Sequence, residues 1–183
     1  MAAKNKGVIF LLIGCSLIII AIGWYLYNII EDKNAGKQAA EILEQFEKQT
    51  NEEDAPVITV NGDAFSGKLI IEKIAIELPI YDKWNYTRLK SAPCRYMGSI
   101  ETNDIIIAGH NYKTHFALLN QLQSGDEVEF IDPYGKSHLY EVCEITLLDG
   151  TAVSDMQSGG WDLTLFTCTK STEQRITVRC NRK

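Results

Sequence analysis

An uncharged apolar run, VIFLLIGCSLIIIAIGWYLYNII from Val8 to Ile30, constrains this chain more than any other feature. Wound as a helix at about 1.5 Å per residue, it is long enough to cross a hydrocarbon core of roughly 30 Å. Trp24, Tyr25 and Tyr27 lie near its far end, where amphipathic rings prefer the headgroup level. Lys4 and Lys6 precede the run, while Glu31, Asp32, Lys33 and Lys37 follow it and cancel. The positive-inside bias therefore places the N-terminus in the cytoplasm and the rest of the chain outside. A cleaved signal peptide is the alternative, but the run is long for one and Asn28-Ile29-Ile30 is no small-residue cleavage site. A buried core helix of this length would ordinarily keep a polar face, and this run has none. The expectation is a single-pass anchor in contact with membrane lipid.

The 183 residues suffice for one ordinary domain beyond the anchor. With a net charge of −6, the chain lacks the basic balance of a nucleic-acid binder, and no nucleic-acid partner is expected. The five cysteines, Cys15, Cys94, Cys143, Cys168 and Cys180, have irregular spacings and no C-x-x-C pair, so neither a zinc site nor a redox pair is indicated. Setting Cys15 aside, the other four could arithmetically form two disulfides, but a chain of this length can build a core without them.

Beyond the anchor (residues 1–33), residues 34–55 read as a tether. Ala39, Ile42, Leu43 and Phe46 recur there at helical spacing. A polar run at 50–54 and Pro56 mark a boundary, and residues 56–183 form the domain. Its texture is of short apolar runs split by turns: Gly67–Glu72, Ile74–Ile80 interrupted at Pro79, Ile105–Ala108, Glu127–Ile131, Leu139–Leu147, Leu163–Thr167 and Arg175–Cys180. Asp132-Pro133-Tyr134-Gly135 predicts a hairpin. Thr114–Leu122 predicts a short helix capped by Thr114, with Phe116, Leu119 and Leu122 on one side. Many short strands with turns between them predict an all-β closed barrel.

Three residues stand at strand mouths. Cys168 ends the strand Thr-Leu-Phe-Thr-Cys ahead of a polar run, His110 follows Gly109 at the end of the Ile-rich strand, and Arg175 opens the last strand. On composition alone each has an ordinary reading: a small buried hydrophobe, a structural histidine and a solvated charge. Together they carry a mechanism. A thiolate is the nucleophile, an imidazole moves its proton, and a guanidinium donates to a developing oxyanion. Arg179 shares the polar face of the final strand with Arg175 and Thr177, so two arginines compete for the last role. No carboxylate is obviously placed to orient His110.

At these residues the chain resembles the sortase family of Gram-positive bacteria. Thr164-Leu-Phe-Thr-Cys168 is similar to the family's T-L-x-T-C strand, and Arg175-Ile-Thr-Val178 to the R-x-x-V of its last strand. Ile107-Ala-Gly-His-Asn111 is similar to the strand end that presents its histidine. Leu69 to Ile74 and Leu78-Pro79-Ile80-Tyr81 resemble its opening strands, with Glu72 where the family has proline. The resemblance covers about residues 67–179, in order. It implies an eight-stranded barrel and a cysteine transpeptidase, or hydrolase, cutting an LPxTG-like sorting-signal peptide through a thioacyl-enzyme. The acceptor it implies is an amine of a peptidoglycan precursor or a pilin lysine, at the cell wall. By it, Cys168 is the nucleophile, His110 the acid/base and Arg175 the oxyanion donor. Thr167, Asn111 and Trp161 become substrate-binding candidates, with the groove partly under Asp149–Trp161. No cofactor or metal is implied, and no lid is expected, since no long extension precedes the barrel. Cys143 and Cys180 read as core-facing, while Cys94, in a loop after Ala92-Pro93, has no role.

Rival readings fit less well. An L,D-transpeptidase places a histidine two residues before its cysteine, where this chain has Phe166. A papain-like protease has the reverse order of Cys and His. His110, His115 and His138 form no H-E-x-x-H zinc motif. From another class, an anchored non-enzymatic binding barrel would leave Cys168 inert.

Overall fold

A computed structural model describes residues 2–50 and 57–183. The boundary expected at Pro56 and the polar residues 51–54 lie outside the described residues. The chain divides into two compact units, Met1–Asn34 and Ala35–Lys183. In the first, helix α1 (Ala2–Thr50) begins, and Phe10, Ile19, Trp24 and Tyr25 are exposed along it. It is the one described helix long and apolar enough to cross a membrane.

Among the described residues, the second unit holds the end of α1 and nine strands: β1 (Ile58–Val60), β2 (Asp63–Ile71), β3 (Ile76–Tyr81), β4 (Cys94–Met97), β5 (Ile105–Ala108), β6 (Glu127–Ile131), β7 (Ser137–Asp149), β8 (Leu163–Cys168) and β9 (Gln174–Arg182). A short helix, α2 (Val153–Gln157), lies between β7 and β8. The order is β1-β2-β3-β4-β5-β8-β9-β7-β6, and β6 returns to pair with β2. Eight strands, β2 to β9, thus close into the expected barrel. β1 is a short addition to the free stretch of β2, pairing at Phe65 where β6 pairs at Leu69. The ladder shifts register between Phe65 and Gly67, and Gly67 has φ 149° with the Phe130 ring 2.5 Å from where a Cβ would sit. Only glycine meets both conditions, so Gly67 bends β2 between its two partners.

Alternation along each strand sorts the side chains. Leu69, Ile80, Ile107, Phe130, Leu165 and Val178 point inward into one core and are almost fully buried. The end of α1 joins it: Ala39 and Phe46 belong to the core, and Lys68 of β2 pairs with Glu47 at 2.5 Å. The amphipathic tether is therefore the last part of α1.

Some elements differ from the sequence-based reading. Pro79 does not interrupt β3. It faces a ladder on one edge only, because β3 meets β4 at Tyr81 alone, so its missing donor leaves no gap. Thr114–Leu122 is not an α-helix but a series of turns with a single 3-10 turn at Leu119–Gln121. Its amides reach back to His110 and Tyr112 instead of forming an i→i+4 ladder. The burial side was right, since Phe116, Leu119 and Leu122 all enter the core. Cys94 is not in a loop but opens β4, fully buried, and desolvation raises its thiol to about 11. Cys143 is not a core residue; it sits half-buried where β7 bulges between Val142 and Glu144. Cys180 does face the core, and all five cysteines are free.

Candidate active site

The site is set by the register of three neighbouring strands. β5 and β8 run parallel, with Ala108 paired to Phe166, and the Gly109 amide donates to the Phe166 carbonyl at 3.0 Å. Carried two residues past the end of the ladder, the same register would set His110 beside Cys168. On its other side β8 runs antiparallel to β9, with Cys168 paired to Arg175. At a strand spacing of about 4.8 Å, that register would line up His110, Cys168 and Arg175 in a row about 10 Å long. Alternation puts Cys168 on the same outward face as Phe166 and Thr164, away from the core.

Local chemistry holds each member. Beyond Cys168 the chain turns within a few residues: the Thr169 amide donates to the Gln174 carbonyl, that of Thr172 to the Thr169 carbonyl, and Thr172 is left-handed at φ 63°. This short turn brings Arg175 back opposite Cys168. Cys168 is exposed. The Arg175 guanidinium lies 5.3 Å from the centre of the Phe166 ring, a cation–π contact that keeps it over the outer face. The His110 ring stacks on Tyr112 at 4.0 Å. Gly109, just before it, sits under Phe116, whose ring would be 2.3 Å from any Cβ there. That close approach lets the loop fold back so sharply after β5.

Arg179 lies in quite different surroundings. It is 4% exposed, and its guanidinium donates to the Met156 carbonyl at 2.7 Å, Thr164 Oγ1 at 2.9 Å and the Asp155 carbonyl at 2.5 Å. Desolvation lowers its pKa, against the raising fields of Glu144 and Asp155. Its donors tie α2 to the sheet. Arg175 makes no side-chain hydrogen bond among the described residues.

The link from β7 to β8 crosses the same outer face. Met156 of α2 is buried against Ile106, Ala108 and Phe166. Tyr96 meets Phe166 edge-on at 5.5 Å, and Trp84 meets Tyr96 at 6.3 Å. An aromatic line therefore leads from the Arg175 guanidinium to an open cleft of about 370 Å³ between Trp84, Tyr96 and Met97. Asp149, at the end of β7, accepts from the Thr151 hydroxyl and amide, which hold its pKa down, with a further contribution from Arg175.

The sequence-derived binding residues fare unequally. Asn111 follows His110 and is half-buried beside the row. Thr167 falls on the inward face, 1% exposed, with its hydroxyl unpartnered among the described residues, so its side chain does not reach the cleft. Trp161 lies before the start of β8, about 20 Å from Cys168 along the extended strand, and the structure does not bring it to the row. Phe166, Tyr96 and Met156 were missed. Period-two alternation from Cys168 marks Phe166, but Tyr96 and Met156 lie in elements that no sequence pattern announced. Among the described residues, no group of His, Cys, Asp and Glu is placed to hold a metal ion.

The family model described as Sortase domain matches residues 69–183. Several solved structures are similar. A Clostridium perfringens Sortase D5 transpeptidase is 24% identical with a TM-score of 0.60, over 80% of this chain and 96% of that one. Sortase C-1 from Actinomyces oris is 25% identical with a TM-score of 0.58, over 80% and 85%. Listeria monocytogenes sortase A is 22% identical with a TM-score of 0.58, over 66% and 88%. No curated protein matches the sequence.

Proposed function

This chain belongs to the sortase family, and from that premise we propose that it is a membrane-anchored cysteine transpeptidase acting on LPxTG-like sorting signals outside the cell. The Val8–Ile30 run is its single-pass anchor, and the barrel faces outward. The observation that carries the reading is the pairing of Cys168 with Arg175, next to the end of β5 that leads into His110.

In this mechanism the Cys168 thiolate attacks the carbonyl carbon of the scissile peptide bond. The carbonyl electrons move to oxygen, where the Arg175 guanidinium donates hydrogen bonds to the oxyanion. His110 gives a proton to the departing nitrogen as the C–N bond breaks, leaving a thioester on Cys168. An acceptor amine, from a peptidoglycan precursor or a pilin lysine, then attacks the thioester. It loses a proton to His110, and the C–S bond breaks. Asn111 borders the acid/base, while Phe166, Tyr96 and Met156 form the floor and wall along which the acyl peptide lies.

The test is transfer itself. The full chain, a library of LPxTG-like peptides and a small amine should give peptide amides detectable by mass spectrometry, and Cys168→Ala should give none. Transfer by the Cys168→Ala variant would refute the assigned nucleophile.

A further inference from the structure

The loop that carries His110 is a closed unit. The Phe116 amide donates to the His110 carbonyl at 3.2 Å, and the amides of His115 and Ala117 both donate to the Tyr112 carbonyl at 3.0 Å. His110 stacks on Tyr112, and Phe116 presses on Gly109. Such a unit moves as one piece, so a push on its outer side is passed to the imidazole.

That outer side is touched by α1. Ala35, Ala39 and Phe46 recur on one face of the helix and are almost fully buried, with Ile42 packed beside them. On the same stretch, a Cβ added at Gly36 would lie 2.7 Å from Thr114 Cγ2 and 2.9 Å from Thr114 Cβ. The backbone of α1 therefore rests directly on a side chain of the His110 loop, with no room for a methyl group. Further along, Glu47 pairs with Lys68 of β2, whose side chain is only 14% exposed. The helix is thus fixed to the loop at one end and to the barrel wall at the other.

We propose that the Ala35–Phe46 segment of α1 is a positioning element of the active site. Gly36 seats the helix on Thr114, and that contact sets the His110 loop against Cys168. Gly36 has no side chain and touches no substrate, so it acts only through the imidazole. The inference rests on the roles proposed above for His110 and Cys168.

The test uses the full chain in mild detergent, with Gly36→Ala, Thr114→Ala and the pair. Two quantities are read: kcat and KM for a sorting peptide, and the pH dependence of iodoacetamide alkylation at Cys168, located by mass spectrometry. In Gly36→Ala, kcat should fall by about tenfold, since small misplacements of a catalytic group are costly. KM should stay within about twofold, and the alkylation profile should change as the imidazole moves relative to the sulfur. Thr114→Ala removes two of the three crowding atoms but keeps Cβ, 2.9 Å from the added methyl group, so the pair should recover only part of both. Thr114→Ala alone opens a gap beneath an intact helix and should change the Cys168 alkylation profile with little change in Tm, which keeps the test alive should Gly36→Ala misfold. Parent-like kcat and alkylation in both single variants would overturn the proposal. So would a fall in kcat that only follows loss of folded protein while the Cys168 profile stays put. If the parent cleaves no sorting peptide, the functional reading fails, but the alkylation arm still decides the positioning role.

Discussion

Replacing Arg179 with Met removes three hydrogen bonds from a buried guanidinium and leaves the Asp155 and Met156 carbonyls and Thr164 Oγ1 without that partner. Hydrogen bonds to a charged group contribute about 1.5–3 kcal/mol each, but losing the buried cation also removes its desolvation cost. A net loss of about 2–4 kcal/mol is the expected balance. Arg175→Met works in the opposite way. It loses one cation–π contact with the buried Phe166 ring from a half-buried position, worth about 1 kcal/mol. It also removes the proposed oxyanion donor, which should raise the barrier by roughly 3–4 kcal/mol, a fall in kcat of about a hundredfold to a thousandfold. Urea unfolding and sorting-peptide kinetics on the two variants should therefore cross. Arg179→Met should lower the urea midpoint strongly, and Arg175→Met should spare it while losing activity. If Arg175→Met keeps parent kcat/KM, or Arg179→Met loses activity at an unchanged midpoint, the two arginines have been assigned the wrong way round.

Phe46→Ala should cost about 3–5 kcal/mol in urea unfolding, because a helix outside the barrel fills part of its core; an unchanged midpoint would mean the helix is not docked. Gly109→Ala puts a methyl group into the Phe116 ring and should lower both Tm and kcat, and parent-like values for both would argue against the tight loop. The thiol of Cys94 is raised from 9.0 to about 11 by burial, so the folded state holds a proton that the unfolded chain releases earlier. Its stabilising contribution is complete below pH about 9 and is lost as pH rises towards 11. Cys94→Ala should flatten that part of the stability–pH curve, and an unaltered slope would contradict the burial.

Much of the layout of the proposed site was legible because β-sheet chemistry is periodic. The alternation in Thr164–Cys168 and Arg175–Cys180 fixed which side chains share a face, and the short turn between them brought Arg175 to Cys168. The different surroundings of Arg175 and Arg179 were not legible, because those of Arg179 depend on carbonyls of α2, which arrive from a distant stretch of chain and carry no sequence signal. The family resemblance implies a pocket role for Thr167, yet the same alternation turns its side chain inward. Thr114–Leu122 has helical spacing of apolar residues, but tertiary packing over Gly109 replaced the helix with turns. β4 went unseen because Cys94-Arg-Tyr-Met does not alternate, and its short ladder with β5 is irregular. The burial of Ala35, Ala39 and Phe46 also shows why a fragment beginning at residue 56 is a poor stand-in for the whole domain: it would leave part of the core open.

The most direct measurement is to hold the full chain with a cleavable sorting peptide and no amine, quench with acid, and map the mass gain by proteolysis. The account predicts an acyl group, equal to the peptide's N-terminal part, on Cys168 and released by hydroxylamine. Peptide cleavage with the acyl group on Cys143, or on no cysteine at all, would contradict it.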